Sequence, residues 1–88
     1  MGLSGKSGQF YVGQAVTAFA CTLDQDEKTP FVIVVNPSES DSNAVGVISP
    51  SGEALTLPVW FLKQMPTQAT QITTAGTTAS IGNIYGAK

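Results

Sequence analysis

Asp24, Asp26 and Glu27 stand within four residues of one another and form the densest group of side chains able to do chemistry. Such a cluster could hold a divalent cation or divide general-acid from general-base work. A calcium loop alternates its oxygen ligands around a central Gly and closes on a distal bidentate Glu. The stretch Asp24 to Thr29 reads DQDEKT and has neither. Acid–base work needs burial to push a carboxyl group toward neutral pH. Asp24, Asp26, Glu27, Glu39, Asp41 and Glu53 all fall in segments expected to turn in solvent. There is no His, so the usual Ser or Cys nucleophile has no base to activate it. The single cysteine, Cys21, excludes an internal disulfide and, without His, a protein-built zinc site. No catalytic residue, metal ligand or cofactor is expected, and the chain reads as a non-enzyme.

Gly5-Lys6-Ser7 looks like a fragment of a phosphate-binding loop, but that loop needs another Gly five positions before the Gly of the Gly-Lys pair, after a strand. Only four residues precede Gly5. The cations are Lys6, Lys28, Lys63 and Lys88, set far apart and with no Arg. Residues 10–65 hold two lysines against six acids, a balance of −4. Binding to a phosphate backbone needs clustered cations that release counterions, so nucleic acid is not an expected partner.

Only 11% of the 88 residues are charged, against about 25% in ordinary soluble domains. A surface of Ser, Thr, Gln, Gly and Ala loses little when it is desolvated, which suits a chain covered by others. A packed part of about 60 residues is marginal on its own, and assembly is one usual remedy. The longest unbroken apolar run, Phe31 to Val35, is far short of the ~20 residues that span a bilayer. The first residues lack the apolar segment of a secretory signal, and Lys6 stands where a myristoylation motif wants Ser or Thr. The expected setting is soluble, in the cytoplasm or in a virion.

The elements that would carry these residues are short strands. Residues 1–9 are a Gly/Ser-rich lead-in. From Ala15 to Leu23 the chain alternates, placing Thr17, Phe19, Cys21 and Leu23 on one face. The charged run Asp24 to Thr29 then makes a hairpin tip. FVIVV, residues 31–35, suits a strand buried on both sides. Residues 36–43 are a loop, and 44–49 a strand containing Gly46. Pro50-Ser51-Gly52 makes a tight turn, followed by a strand over 53–57. Pro58 ends that strand in a 3₁₀ turn, and Leu62 to Met65 form a short closing strand. The expected core is Val16 or Phe19, Ile33, Val45, Leu55, Leu57 and Trp60.

Over residues 10–65 this order of elements resembles the Src-homology-3-like small barrels, including their KOW-type variants. The carriers are Gly13-Gln14, Val45-Gly-Val-Ile-Ser, the Pro-Ser-Gly turn, Leu55-Thr-Leu-Pro and Leu62-Lys-Gln-Met. The resemblance implies an all-β, five-stranded barrel. Peptide-binding members dock Pro-rich ligands on clustered aromatics, and Tyr11, Trp60 and Phe61 are the only platform available for that. Trp60 and Phe61 also suit a plug for the open end of a barrel.

Pro66 to Ala87 carries no charge, six Thr and three Gly. Disordered tails usually stay soluble through charge and few apolar groups, and this stretch holds Ile72, Ile81, Ile84 and Tyr85. Residues 66–88 therefore read as an extended, non-helical docking arm outside the 10–65 barrel. Its four anchors, with Tyr11 and Trp60, are the expected partner-binding residues. The chain's build, with a tiny low-charge β core and an uncharged Thr/Ala/Gly-rich arm, resembles small accessory proteins of tailed-bacteriophage virions, such as decoration or cement proteins. That resemblance implies a structural role, with a capsid or other virion protein as partner and repeated copies on a lattice. A stand-alone protein-binding barrel, for example a phage-encoded inhibitor of a host protein, is the other reading.

Overall fold

The computed structural model describes residues 17–88. Tyr11, Val16, the Gly/Ser lead-in and the Gly13-Gln14 entry lie outside the described residues. Strands β1 (Ala18–Ala20), β2 (Phe31–Val35), β3 (Ala44–Ile48) and β4 (Ala54–Pro58) lead into helix α1 (Val59–Gln64). Then come β5 (Gln68–Ala69), β6 (Gln71–Thr73), a 3₁₀ turn over Ile81–Asn83, and β7 (Ile84–Ala87). The expected all-β character holds, with one short helix. The strands form two antiparallel sheets, ordered β1-β7-β2-β5 and β4-β3-β6.

A closed five-stranded barrel is not formed. β7 lies between β1 and β2, so Asp24 to Thr29 is no hairpin tip. Instead that segment runs along the far side of β6. The Asp24 N–H donates to Ile72 O at 2.7 Å and the Glu27 N–H to Thr70 O at 2.9 Å. Asp24 and Lys28 take left-handed backbone conformations, with φ of 64° and 71°. Both Asp24 carboxylate oxygens accept from Thr74, one from its N–H and one from its hydroxyl. The two sheets meet where β5 runs into β6, at Thr70, whose N–H donates to Ile48 O at 2.9 Å.

The stretch from Pro66 onward is folded into the same unit, which corrects the division into a barrel and an arm. Ile72 is 1% exposed and Ile84 is fully buried. They pack with Phe31, Ile33, Val45, Val47, Val59 and Leu62 in one cluster, with Ile81 partly buried against it. The arm's lack of charge has a physical cause: its threonines serve the backbone. Thr77 Oγ1 accepts from the Gly46 N–H and donates to Thr73 O, and Thr78 Oγ1 accepts from the Ala44 N–H. Thr73 Oγ1 donates to Ala75 O.

Of the face expected to hold Thr17, Phe19, Cys21 and Leu23, Cys21 is buried and Phe19 and Leu23 pack on the core, whereas Thr17 is exposed, as are Ala18 and Ala20. Phe19 meets Phe31 edge to face, ring centres 5.4 Å apart. Gly86 makes room for that pair, since a Cβ there would strike both rings. Ile33 and Val45 are buried as expected and Leu57 partly so, whereas Leu55 and Trp60 are exposed. Leu55 lies on β4, at the edge of its sheet. Residues 59–64 make a helix where a 3₁₀ turn and a closing strand are expected. Its Val59 and Leu62 turn inward at i and i+3, leaving Trp60 outside at 50% exposure. Trp60 plugs nothing.

Candidate functional site

Opposed residues of an antiparallel pair share a sheet face, so the register of the four-stranded sheet defines its outer surface. One row runs Ala18, Ala87, Val32, Gln68 across β1, β7, β2 and β5. The next runs Ala20, Tyr85, Val34 across β1, β7 and β2. Neither row holds a charged side chain. FVIVV is thus covered on its inner side only: Phe31, Ile33 and Val35 are buried, Val32 is half-buried, and Val34 is 46% exposed. Burial on both sides is the sequence expectation, and among the described residues the outer side is uncovered at Val34.

Among the described residues the second row has no fourth member. β5 pairs β2 only at Phe31 and Val32, and Thr67 O then takes the Ile33 N–H at 2.9 Å. Beyond Thr67 the chain departs into Pro66, Met65 and α1. The gap is a groove of about 510 Å³, lined by Val32 to Val35, Pro37, Leu62 to Gln64, Met65 and Pro66. Met65 on its rim is exposed. Most of this lining is aliphatic, as in ordinary ligand clefts of about 300–1,000 Å³.

The loop 36–43 walls one end of the groove and is held by two ionic side chains. Lys63 Nζ, near the C-terminal end of α1, donates to Pro37 O at 3.0 Å, Glu39 O at 2.7 Å and Asp41 Oδ1 at 2.7 Å. Its charge therefore faces the loop. Glu39, expected in solvent, is 6% exposed. Its carboxylate accepts from Asn43 Nδ2 at 2.6 Å, Asn83 Nδ2 at 2.8 Å and the Ser80 N–H at 3.2 Å. These donors, Asn83 first and then Asn43, hold its pKa below the ordinary 4.5 against the opposing effect of desolvation. A carboxylate so held joins the loop to the 80–83 turn.

Folding holds Glu39 depressed, so its stabilisation is complete above the ordinary value of 4.5 and is lost as pH falls through the lowered value. Asp24 acts in the same direction through its bonds from Thr74. Glu39→Gln is expected to lower the urea midpoint near neutral pH, because its amide N–H₂ would face the Asn43 donor. The gap to the wild-type chain should narrow in acid. Urea titrations on both sides of 4.5 test this, and parallel curves for the two proteins would contradict it.

The remaining reactive group is Cys21, whose thiol is pushed up to about 11, first by burial and then by the charge of Glu27. A thiol held protonated is a poor nucleophile. Among the described residues no cluster of acids or Cys could hold a metal ion, and no helix is long and apolar enough to cross a membrane.

Of the expected partner-binding residues, Ile72 and Ile84 are core, Ile81 supports the core, and Tyr11 lies outside the described residues. Tyr85 sits at the middle of the uncharged face, and Trp60 is exposed on α1, edge to face with Phe61. The structure does not bring the five described ones together on one surface. The sequence reading missed Val32, Val34, Met65 and Pro66, because an apolar strand reads as core until its cover is known. No family model, no curated protein and no solved structure matches the chain.

Proposed function

We propose that this chain is a non-enzymatic structural subunit that joins a larger protein particle through the outer face of its four-stranded sheet. The observation that carries this reading is the pair of uncharged rows centred on Tyr85 and Val34. The two rows, one across four strands and one across three, at about 4.8 Å between strands and 3.4 Å per residue, cover on the order of 230 Å². A standard interface buries about 800 Å² per partner. Such a face anchors a wider contact, and repetition on a lattice multiplies weak contacts into stable attachment. A bacteriophage virion is the particle we favour, on the chain's low charge and small size. Of the docking arm's four anchors only Tyr85 takes part in this proposal, because Ile72 and Ile84 are core and Ile81 packs against it.

The second reading, a free-standing module related to the Src-homology-3-like barrels, draws support from the groove beside β2. It requires one saturable partner and no particle. Mass spectrometry of particles purified from the source separates the two, with the lattice reading expecting a fixed copy number. Tyr85→Asp should cost the fold about 1 kcal/mol or less, the span of strand propensities. It should cut incorporation at least about tenfold by placing an unpaired charge at a dry contact. Incorporation at the wild-type level would sink this proposal.

A further inference from the structure

β2 carries an amide whose place in the ladder is not filled by any of the described residues. Backbone groups alternate between the two edges of a strand. The Asn36 N–H donates to Asn83 O, on the β7 side, at 2.8 Å. By alternation Val32 and Val34 address β7, while Ile33 and Val35 address the opposite edge. Thr67 O takes the Ile33 N–H there, and among the described residues nothing accepts from the Val35 N–H. Val35 is 7% exposed, and buried backbone donors are rarely left without an acceptor. That position opens into the groove where the row of Ala20, Tyr85 and Val34 has no fourth member among the described residues.

Resting on the reading that this chain acts by binding protein, we propose that the groove takes a short extended segment of a partner chain. One carbonyl of the segment accepts from the Val35 N–H, continuing the line that β5 abandons at Thr67. A side chain on the same segment, apolar and uncharged, lies against Pro37, Leu62 and Met65. Pro66 cannot donate to a strand, and Lys63 is already committed to the 36–43 loop, so backbone pairing and apolar fit recognise the ligand. Strand addition of this kind takes affinity from the main chain and selectivity from alternate side chains.

The test uses the full chain with acetyl-Ser-Val-Ile-Val-Ser-amide as probe, followed by amide exchange and chemical shifts in NMR spectra. In the free protein, the Val35 amide should exchange at least about tenfold faster than that of Ile33. With peptide in the millimolar range, typical of a short strand in an open groove, Val35 should slow at least about tenfold. The amides of Val34, Lys63 and Met65 should shift with it. The same peptide with Pro at its centre should bind at least about tenfold more weakly, having lost a donor. A Val35 amide already protected in the free chain would overturn the inference, since the edge would then be occupied by the chain itself or by a second copy. Shifts confined to another surface, or none at all, would overturn it as well. None of these results touches incorporation of Tyr85→Asp into particles, so the two proposals fail separately.

Discussion

A chain ending at Met65 is expected not to fold. It loses β5, β6 and β7 together, and β7 is the strand that joins β1 to β2. Without β7, β1 has no neighbour among the described strands, and β2 is left with none on either edge. Ile72 and Ile84, both essentially buried, leave the core with Ala69 and Ala79. Burial of each isoleucine contributes about 1.5–3 kcal/mol. A domain this small has a net stability near the lower end of the usual 5–15 kcal/mol, so the two alone remove most of it. The truncated chain should show no cooperative transition in urea and no protected β2 amides. A native-like circular dichroism spectrum with a cooperative melt would mean that the chain up to Met65 closes a core by itself, as the reading of residues 10–65 as a barrel requires.

That contrast locates what the sequence makes legible. The boundaries of β2 are readable because five apolar, mostly β-branched residues lie between Pro30 and Asn36. β3 and β4 are readable because Pro50-Ser51-Gly52 marks the turn between them. α1 is obscured by its length: six residues give one i, i+3 pair, Val59 and Leu62, too little to show a helical period. β5, β6 and β7 are obscured by composition, since Thr, Ser and Gly between scattered isoleucines also describe a linker. A signal was nevertheless present. A strand such as FVIVV needs partners on both edges, and the Asp24–Thr29 hairpin could supply only one. The uncharged stretch holds further β-branched residues, densest at Ile72-Thr73-Thr74, and Ile84-Tyr85 adds a β-branched residue beside an aromatic one.

The candidate site was less legible than the fold for a related reason. Exposure of Val34 depends on which strands flank it and on nothing in its neighbours along the chain. The same holds for Glu39, whose donors Ser80 and Asn83 lie on the far side of the sequence. Tyr85 was singled out for its type and proves to be exposed, at the centre of a face that sequence spacing does not define.

Gly46→Ala is the single substitution expected to cost most. Gly46 lies on β3 between Thr56 and Thr73 of the neighbouring strands, and residues 74–77 fold over it. Thr73 Oγ1 donates to Ala75 O at 2.9 Å, the Gly46 N–H donates to Thr77 Oγ1 at 2.8 Å, and Thr77 Oγ1 donates to Thr73 O at 2.6 Å. A Cβ on Gly46 would collide with the Ala75 carbonyl oxygen and stand 2.5 Å from Thr73 Oγ1. The obstacle is backbone, so no side-chain rotation relieves it and the loop must lift. Ordinary overpacking costs about 1–3 kcal/mol, and each hydrogen bond lost with the loop adds about 1 kcal/mol. Against this, Gly→Ala at an unstrained site stabilises by about 0.4–1 kcal/mol through the unfolded chain. The steric effect wins, for an expected net loss of about 3–5 kcal/mol. Gly82→Ala supplies the comparison, since a Cβ there meets nothing within 4 Å, and it should leave stability unchanged or slightly raised. Urea denaturation of the two variants beside the wild-type chain reads both effects. Equal midpoints for Gly46→Ala and the wild type would show that the 74–77 loop does not rest on β3, and the threonines would then need another account.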